Sequence, residues 1–330
     1  MARLLERKEE YTIDYPTAIA YAEAQQDIFW TANEIEMDKD LHGLRTDLSE
    51  AEYHAVTESL KLFTLYELKV GDYWLDYVFK TFQRPDIQRM AATFGFFELN
   101  VHAPFYNKVN EVLGLNTDEF YQSYKKDKEL RDRMDWLDNV FGDDPLLNVA
   151  AASMIEGAIL YSNFAFFKHF QASGKNKLVN LCAGINFSVR DENLHSEAGA
   201  WMFKELVKER RAELGPNNSP RDEFEQEVVG YYKKFTTIGA EIYRHESRII
   251  DMLFEKGPIK GITAEQMKHF VQARINLCLE QLGAEPMFEV TYDPISKWFY
   301  KNINSGQLHD FFHKQGNNYN RDWTEGRFEW

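Results

Sequence analysis

Ser188-Val189-Arg190-Asp191-Glu192-Asn193-Leu194-His195 is the stretch on which the reading of this chain turns. Ile185, Ser188, Glu192, His195, Gly199 and Met202 recur at spacings of three and four, which puts them on one face of a helix. That face should be the buried one, yet it carries a carboxylate and an imidazole. An unpaired buried carboxylate costs several kcal/mol. A Glu and a His three apart can meet a single metal ion, which removes that cost. An ordinary charged helix with one histidine has the same pattern, so the rest of the chain has to decide.

At 330 residues the chain can hold one large or two ordinary domains. Its 44% hydrophobic content supplies a sizeable core, and 25 Phe and 17 Tyr make that core thick and aromatic. Gly and Pro are sparse, which favours helix over sheet. A net charge of −15 with no basic block argues against nucleic-acid binding. Cys182 and Cys278 lie far apart in apolar segments, which suits a reducing, cytoplasmic setting. The N-terminal residues have no apolar run long enough for a signal peptide.

Residues 1–15 are polar and read as an irregular arm. Pro16 opens a helix, and Ala18 to Trp30 contains no breaker. A polar connection, Thr31 to Asp40, follows. Ser49 with Glu52 forms a capping box for a helix running past Val70 towards Phe79, with Phe63, Glu67, Val70 and Trp74 on its buried face. After Pro85 a helix resumes through Glu98, His102 and Tyr106, which share a row at spacings of four. Pro104 cannot donate to the carbonyl of residue 100, so the spacing predicts a kink or a bulge of one extra residue there.

Residues 115–145 read as solvated. In Pro145 to Phe167, Glu156 is the one formal charge. The length invites a membrane span, but Asn148, Ser153, Ser162 and Asn163 argue for a buried central helix instead. Glu156 must then be protonated, paired or metal-bound. The opening stretch lies on a helix from about Lys177 to Arg211, closed by the loop Gly215 to Pro220. Helices follow at about Arg221–Phe254 and Thr263–Leu282. Tyr243-Arg244-His245-Glu246 is charged all round and reads as surface. Residues 301–330 are polar with scattered aromatics and read as a flexible tail that docks a partner.

Four helices thus each place a carboxylate in an apolar row: Glu67, Glu98, Glu156 and Glu192. Two add a histidine, His102 and His195. One Glu from each of two helices and a Glu–His pair from each of two others is the ligand set of a di-metal carboxylate centre in a helical bundle. Oxygen-rich ligation with one imidazole per ion suits iron or manganese over structural zinc. The expected fold is all-α, a bundle over residues 16–300 with additional helices.

These residues carry a resemblance to the small, radical-generating subunit of class I ribonucleotide reductase, a ferritin-like fold. The family's Arg-Asp-Glu-x-x-His signature stands as Arg190 to His195, and Leu60-Lys61 through Glu67 resembles its first ligand segment. Asn100-Val101-His102-Ala103-Pro104-Phe105-Tyr106 resembles the segment in which a radical-bearing Tyr follows the ligand His. Glu156 with Phe164 resembles the third ligand helix and part of the radical pocket. Phe29-Trp30-Thr31-Ala32 resembles the N-terminal segment with the radical-transfer Trp, and Gly316-Asn317-Asn318-Tyr319 the C-terminal relay region.

The resemblance implies metal ligation by Glu67, Glu98, His102, Glu156, Glu192 and His195. It implies a radical at Tyr106, with transfer through His102, Asp191 and Trp30 to Tyr319. It also implies a homodimer and a large catalytic subunit docked by the tail, which reduces ribonucleotides. The metal pair would be two iron ions, with dimanganese or manganese–iron as alternatives. Four departures stand out: Glu67 where Asp is common, Glu98-x-x-x-His102 where Glu-x-x-His is usual, Leu160 where Phe is frequent, and Ser188 where an apolar residue is common. A di-metal oxidase or hydroxylase acting on a small organic substrate, and a metal store of ferritin type, are the rival readings.

Overall fold

The structure, a computed structural model, describes residues 3–216 and 218–300. Tyr319, and the tail expected to meet a large subunit, lie outside the described residues.

The described residues build helices without strands. After α1 (Pro16–Asp27) and two short 3-10 turns comes α2 (Glu50–Asp72). Its start is fixed by the expected box: Ser49 Oγ accepts from the Glu52 N–H at 3.2 Å, and the Glu52 carboxylate accepts from the Ser49 N–H at 2.9 Å. Of three π turns, Gly43–Asp47 precedes α2 and two interrupt the bundle helices; the first of these two, Tyr73–Val78, carries α2 into α3 (Phe79–Thr81). Pro85 occupies the first turn of α4 (Pro85–Phe97), where its missing N–H costs nothing. The other, Glu98–His102, joins α4 to α5 (Ala103–Leu113). This is the irregularity expected beside Pro104. Asn100, at its middle, is exposed while Glu98 and His102 are buried.

Two helices of the charged region, α6 (Asp118–Gln122) and α7 (Lys128–Asn139), precede α8 (Pro145–Ala158) and α9 (Tyr161–Lys168). The long α10 (Val179–Leu214) and α11 (Ser219–Leu253) follow, then α12 (Ala264–Gln281) and α13 (Pro294–Phe299). Asp40, in the polar connection before α2, is buried because it accepts from the Leu181 N–H at 2.7 Å and from the Asn180 side chain at 2.9 Å, capping α10.

The centre of the molecule is the packing of α2, the α4–α5 pair, α8 and α10. α8 and α10 cross closely. Ser153 Oγ donates to the Ser196 carbonyl at 2.7 Å, and Ser196 Oγ donates back to the Ser153 carbonyl at 2.8 Å. At Gly199 a Cβ would stand 3.1 Å from the Val149 carbonyl oxygen and 3.2 Å from the Ser153 Cα, so only glycine allows the approach. Phe63, Phe94, Phe105, Phe164 and Phe167 fill the space between the helices.

Two expectations are corrected. The apolar run from Pro145 is buried from Asn148 onward, but it is two helices, broken at Ile159–Leu160 where Leu160 adopts φ 69°. Side-chain pattern alone cannot reveal such a break, because both halves remain apolar. Second, Tyr243 to Glu246 is not a surface segment: His245 is 2% exposed and Glu246 0%. Glu246 continues the apolar row of Ile238, Ile242, Ile249 and Ile250 on α11. Its charge is met by Arg133 Nη1 from α7 at 3.0 Å and by Ser162 Oγ from α9 at 2.6 Å. The described residues before α1 are irregular and anchored at Leu4 and Tyr15. Leu4 is buried, and its N–H donates to Glu209 at 2.9 Å.

Candidate metal centre

Glu67 comes from α2, Glu156 from α8, and Glu192 and His195 from α10, one turn apart. Glu98 and His102 stand at the two ends of the π turn between α4 and α5. In a regular helix a spacing of four would stack them in one row. The extra residue lets both side chains enter the bundle interior while Asn100 turns to solvent. All six side chains are essentially sealed from water, none more than 2% exposed.

The Glu98 carboxylate lies between the two imidazoles, 2.9 Å from His102 Nδ1 and 2.7 Å from His195 Nδ1. Glu192 also faces both, at 3.4 and 3.7 Å. Glu67 approaches His102 Nδ1 at 3.6 Å, and Glu156 approaches His195 Nδ1 at 3.9 Å. The donor atoms therefore fall into two overlapping sets, Glu67–Glu98–His102–Glu192 and Glu98–Glu156–Glu192–His195, each within 4.8 Å. Glu98 and Glu192 belong to both sets. Glu67 and Glu156 each belong to one.

Each imidazole is oriented from outside. His102 Nε2 is 3.1 Å from Asp191 Oδ2, and the same oxygen accepts from the Trp30 indole N–H at 2.7 Å. His195 Nε2 is 3.0 Å from Gln25 Oε1. With acceptors on the outer nitrogens, each ring can keep its proton at Nε2 and free the Nδ1 lone pair for a bound cation, whereas without one Nδ1 is protonated and faces the Glu98 carboxylate. Trp74, aimed by the π turn after α2, donates its indole N–H to Glu156 Oε1 at 2.8 Å. Sequence reasoning missed Gln25, and placed Trp74 on the buried face without giving it a partner. The hydrogen bonds of both join helices far apart in the chain, so no local spacing marks them.

The electrostatics call for cations. Burial raises Glu67 and Glu156 well above the ordinary carboxylate value, and neighbouring carboxylates add to this. Burial would raise Glu98 too, but the charges of His102 and His195 outweigh it and hold Glu98 below the usual range. Burial lowers His195, yet Glu98 and Glu192 push it up to about 9. His102 is likewise driven up against its burial, Glu98 being the largest contributor. Five buried carboxylate oxygens have no hydrogen-bond partner among the described residues: both oxygens of Glu67 and of Glu192, and Glu156 Oε2. Such concentrated acceptors without donors fit a pair of bound cations.

Tyr106 sits beside this cluster, fully buried and stacked on Phe63 at 4.4 Å between ring centroids. Phe63 stacks in turn near Phe164 at 5.8 Å. A cavity of about 270 Å³, walled by Tyr66, Tyr73, Phe141 and Ile155, reaches Glu156 from a rim that includes Lys69 and Asp138.

A family model described as "Ribonucleotide reductase, small chain" matches residues 7–294. The ribonucleoside-diphosphate reductase small subunit 048L of Invertebrate iridescent virus 3 is 24% identical over 96% of this chain and 85% of its own length. The ribonucleoside-diphosphate reductase subunit beta of Halalkalibacterium halodurans is 27% identical over 91% of this chain and 85% of its own. Among solved structures, the dimanganese(II)-NrdF of Streptococcus sanguinis superposes with a TM-score of 0.71 at 20% identity, covering 89% of this chain and 99% of that one.

Proposed function

This chain belongs to the ribonucleotide reductase small-chain family, and from that premise we propose that its buried cluster holds two metal ions and generates a radical at Tyr106. The chain is the small subunit of a class I ribonucleotide reductase, an oxidoreductase. The proposed ligands are Glu67, Glu98, His102, Glu156, Glu192 and His195. The observation that carries this reading is the set of five buried, partnerless carboxylate oxygens converging between two imidazoles.

When bound and reacted with oxygen, the metal pair supplies the one-electron acceptor that oxidises Tyr106. The rest is work for the chain's own side chains. Burial first, and then the charge of Glu67, push the Tyr106 phenol well above its ordinary value. The phenol is therefore held protonated until it is oxidised, and its proton leaves with or after the electron. Phe63 and Phe164 exclude water from the ring. Asp191, accepting from both Trp30 and His102, offers a continuous hydrogen-bonded line from the cluster to Trp30. That line is the proposed start of radical transfer, with Tyr319 as its relay towards a separate large subunit that reduces ribonucleotides. The tail of residues 301–330 is the proposed docking segment, and a homodimer the proposed assembly. Two iron ions are the first assignment for the metals, with dimanganese or manganese–iron as alternatives, since oxygen-rich sites with one imidazole per ion accept either element.

A di-metal oxidase acting on a small organic molecule is the second reading, and the cavity reaching Glu156 is the observation in its favour. The two part on one experiment. Whole protein is loaded with metal, exposed to oxygen and frozen for electron paramagnetic resonance, alongside Tyr106→Phe. The proposal expects a tyrosyl signal that Tyr106→Phe abolishes, together with its support of ribonucleotide reduction. A fully metallated protein without a radical, whose Tyr106→Phe variant still supports reduction, would defeat it.

A further inference from the structure

We propose that Ser188 is a positioning residue for the Tyr106 radical: its hydroxyl holds the phenol oxygen in both oxidation states by exchanging donor and acceptor roles. The inference rests on the radical reading above and deepens it.

Tyr106 Oη donates to Ser188 Oγ at 3.0 Å, and both side chains are 0% exposed. Among the described residues this is the one hydrogen bond either side chain makes. Its surroundings are apolar: the Tyr106 ring contacts Phe63 and Phe105 at 4.4 and 5.0 Å between centroids. Ser188 lies one turn before Glu192, in the same row of α10 that carries Glu192 and His195. The ligand-bearing helix therefore also carries the partner of the oxidisable phenol. A bare hydroxyl in an apolar pocket has a cost unless something uses it.

Serine suits this place because its hydroxyl is both donor and acceptor and its hydrogen can rotate. In the reduced state the phenol gives its proton to the bond and Ser188 accepts. Oxidation sends the electron to the oxygen-oxidised metal pair and the proton to the carboxylate cluster beside the ring, Glu67 first, leaving a phenoxyl oxygen that can only accept. Ser188 then turns its own hydrogen towards Tyr106, and the contact survives without movement of a heavy atom. Alanine could serve in neither state. Threonine could serve in both.

A hydrogen bond to a phenoxyl oxygen stabilises its lone pair and lowers the g-component along the C–O axis. The test is high-field electron paramagnetic resonance of the metal-loaded, oxygen-treated protein in H2O and in D2O. Wild type should show the lowered component and a coupling to one exchangeable proton. Ser188→Ala should raise the component and lose the coupling, and Ser188→Thr should restore both. A packing role alone would move neither quantity in this pattern. A Tyr106 radical unchanged in g and in exchangeable coupling by Ser188→Ala would overturn the inference while leaving the radical reading intact. Absence of any radical would defeat the reading. The reduced-state bond is then read independently in the metal-free protein by ultraviolet resonance Raman. There Ser188→Ala should shift one tyrosine C–O band, and an unshifted band overturns the inference.

Discussion

Two clusters of buried charge lie in this bundle, and they are built on opposite rules. In the cluster around Glu246, the carboxylate meets its opposite charge: Arg133 Nη1 at 3.0 Å and Ser162 Oγ at 2.6 Å occupy its two oxygens. In the cluster around Glu98, four carboxylates face two imidazoles, and five carboxylate oxygens are left without partners. The first pairs its carboxylate with a cation of the chain's own and ties α7, α9 and α11 together. The second is incomplete without cations. Burial of charge alone therefore does not mark a functional site. An excess of one sign with unsatisfied lone pairs does.

The contrast can be broken most sharply at Glu246. Glu246→Ala leaves the Arg133 guanidinium buried and unanswered, which should cost about 3–5 kcal/mol. Denaturant unfolding of the metal-free protein measures it. A loss below about 1 kcal/mol would mean that Arg133 finds water or another partner.

Glu156→Gln should do the reverse. It removes a carboxylate that burial and its neighbours push well above its ordinary value, while Trp74 can still donate to the amide oxygen. The metal-free variant should match or exceed wild-type stability by on the order of 1 kcal/mol. Its metal content after loading should fall below that of wild type. A variant that is both destabilised and fully metallated would show Glu156 to be a structural carboxylate.

The smallest effect is in the pH dependence, where the clusters should differ in sign. Burial and the nearby Arg244 and Arg133 hold His245 down to about 4. Between its ordinary 6.5 and about 4 the unfolded chain binds the extra proton, so His245's contribution to stability is lost as pH falls through that window. Glu67 and Glu156 stand above 4.5 in the folded protein, which holds protons the unfolded chain gives up. Their contribution is present at low pH and lost as pH rises above 4.5. Melting temperatures of metal-free protein across pH, with His245→Gln and Glu156→Gln each flattening its own limb, check this assignment.

Much of this was legible because the signals are local. The Ser49–Glu52 box, the Gly215–Pro220 loop and the apolar rows carrying Glu67, Glu156, Glu192 and His195 depend on spacing within one helix. Even the π turn left a trace, since Glu98-x-x-x-His102 followed by Pro104 fits a regular helix poorly. What escaped depended on residues remote in sequence. Glu246 looked exposed because its partner Arg133 is 113 positions away. Gln25 and His195 are 170 apart.

The sequence by itself determined that this chain is helical, and that four helices carry carboxylates and imidazoles on faces that must be buried, because helical periodicity and the cost of burying charge act residue by residue. Only the tertiary structure decided which atoms meet. It set Glu98 between both imidazoles, joined Trp30 to His102 through Asp191, gave Tyr106 the hydroxyl of Ser188, and closed the charge of Glu246 with Arg133. Hydrogen bonds and ion pairs act over about 3 Å, a distance that spacing along one helix cannot specify between two helices.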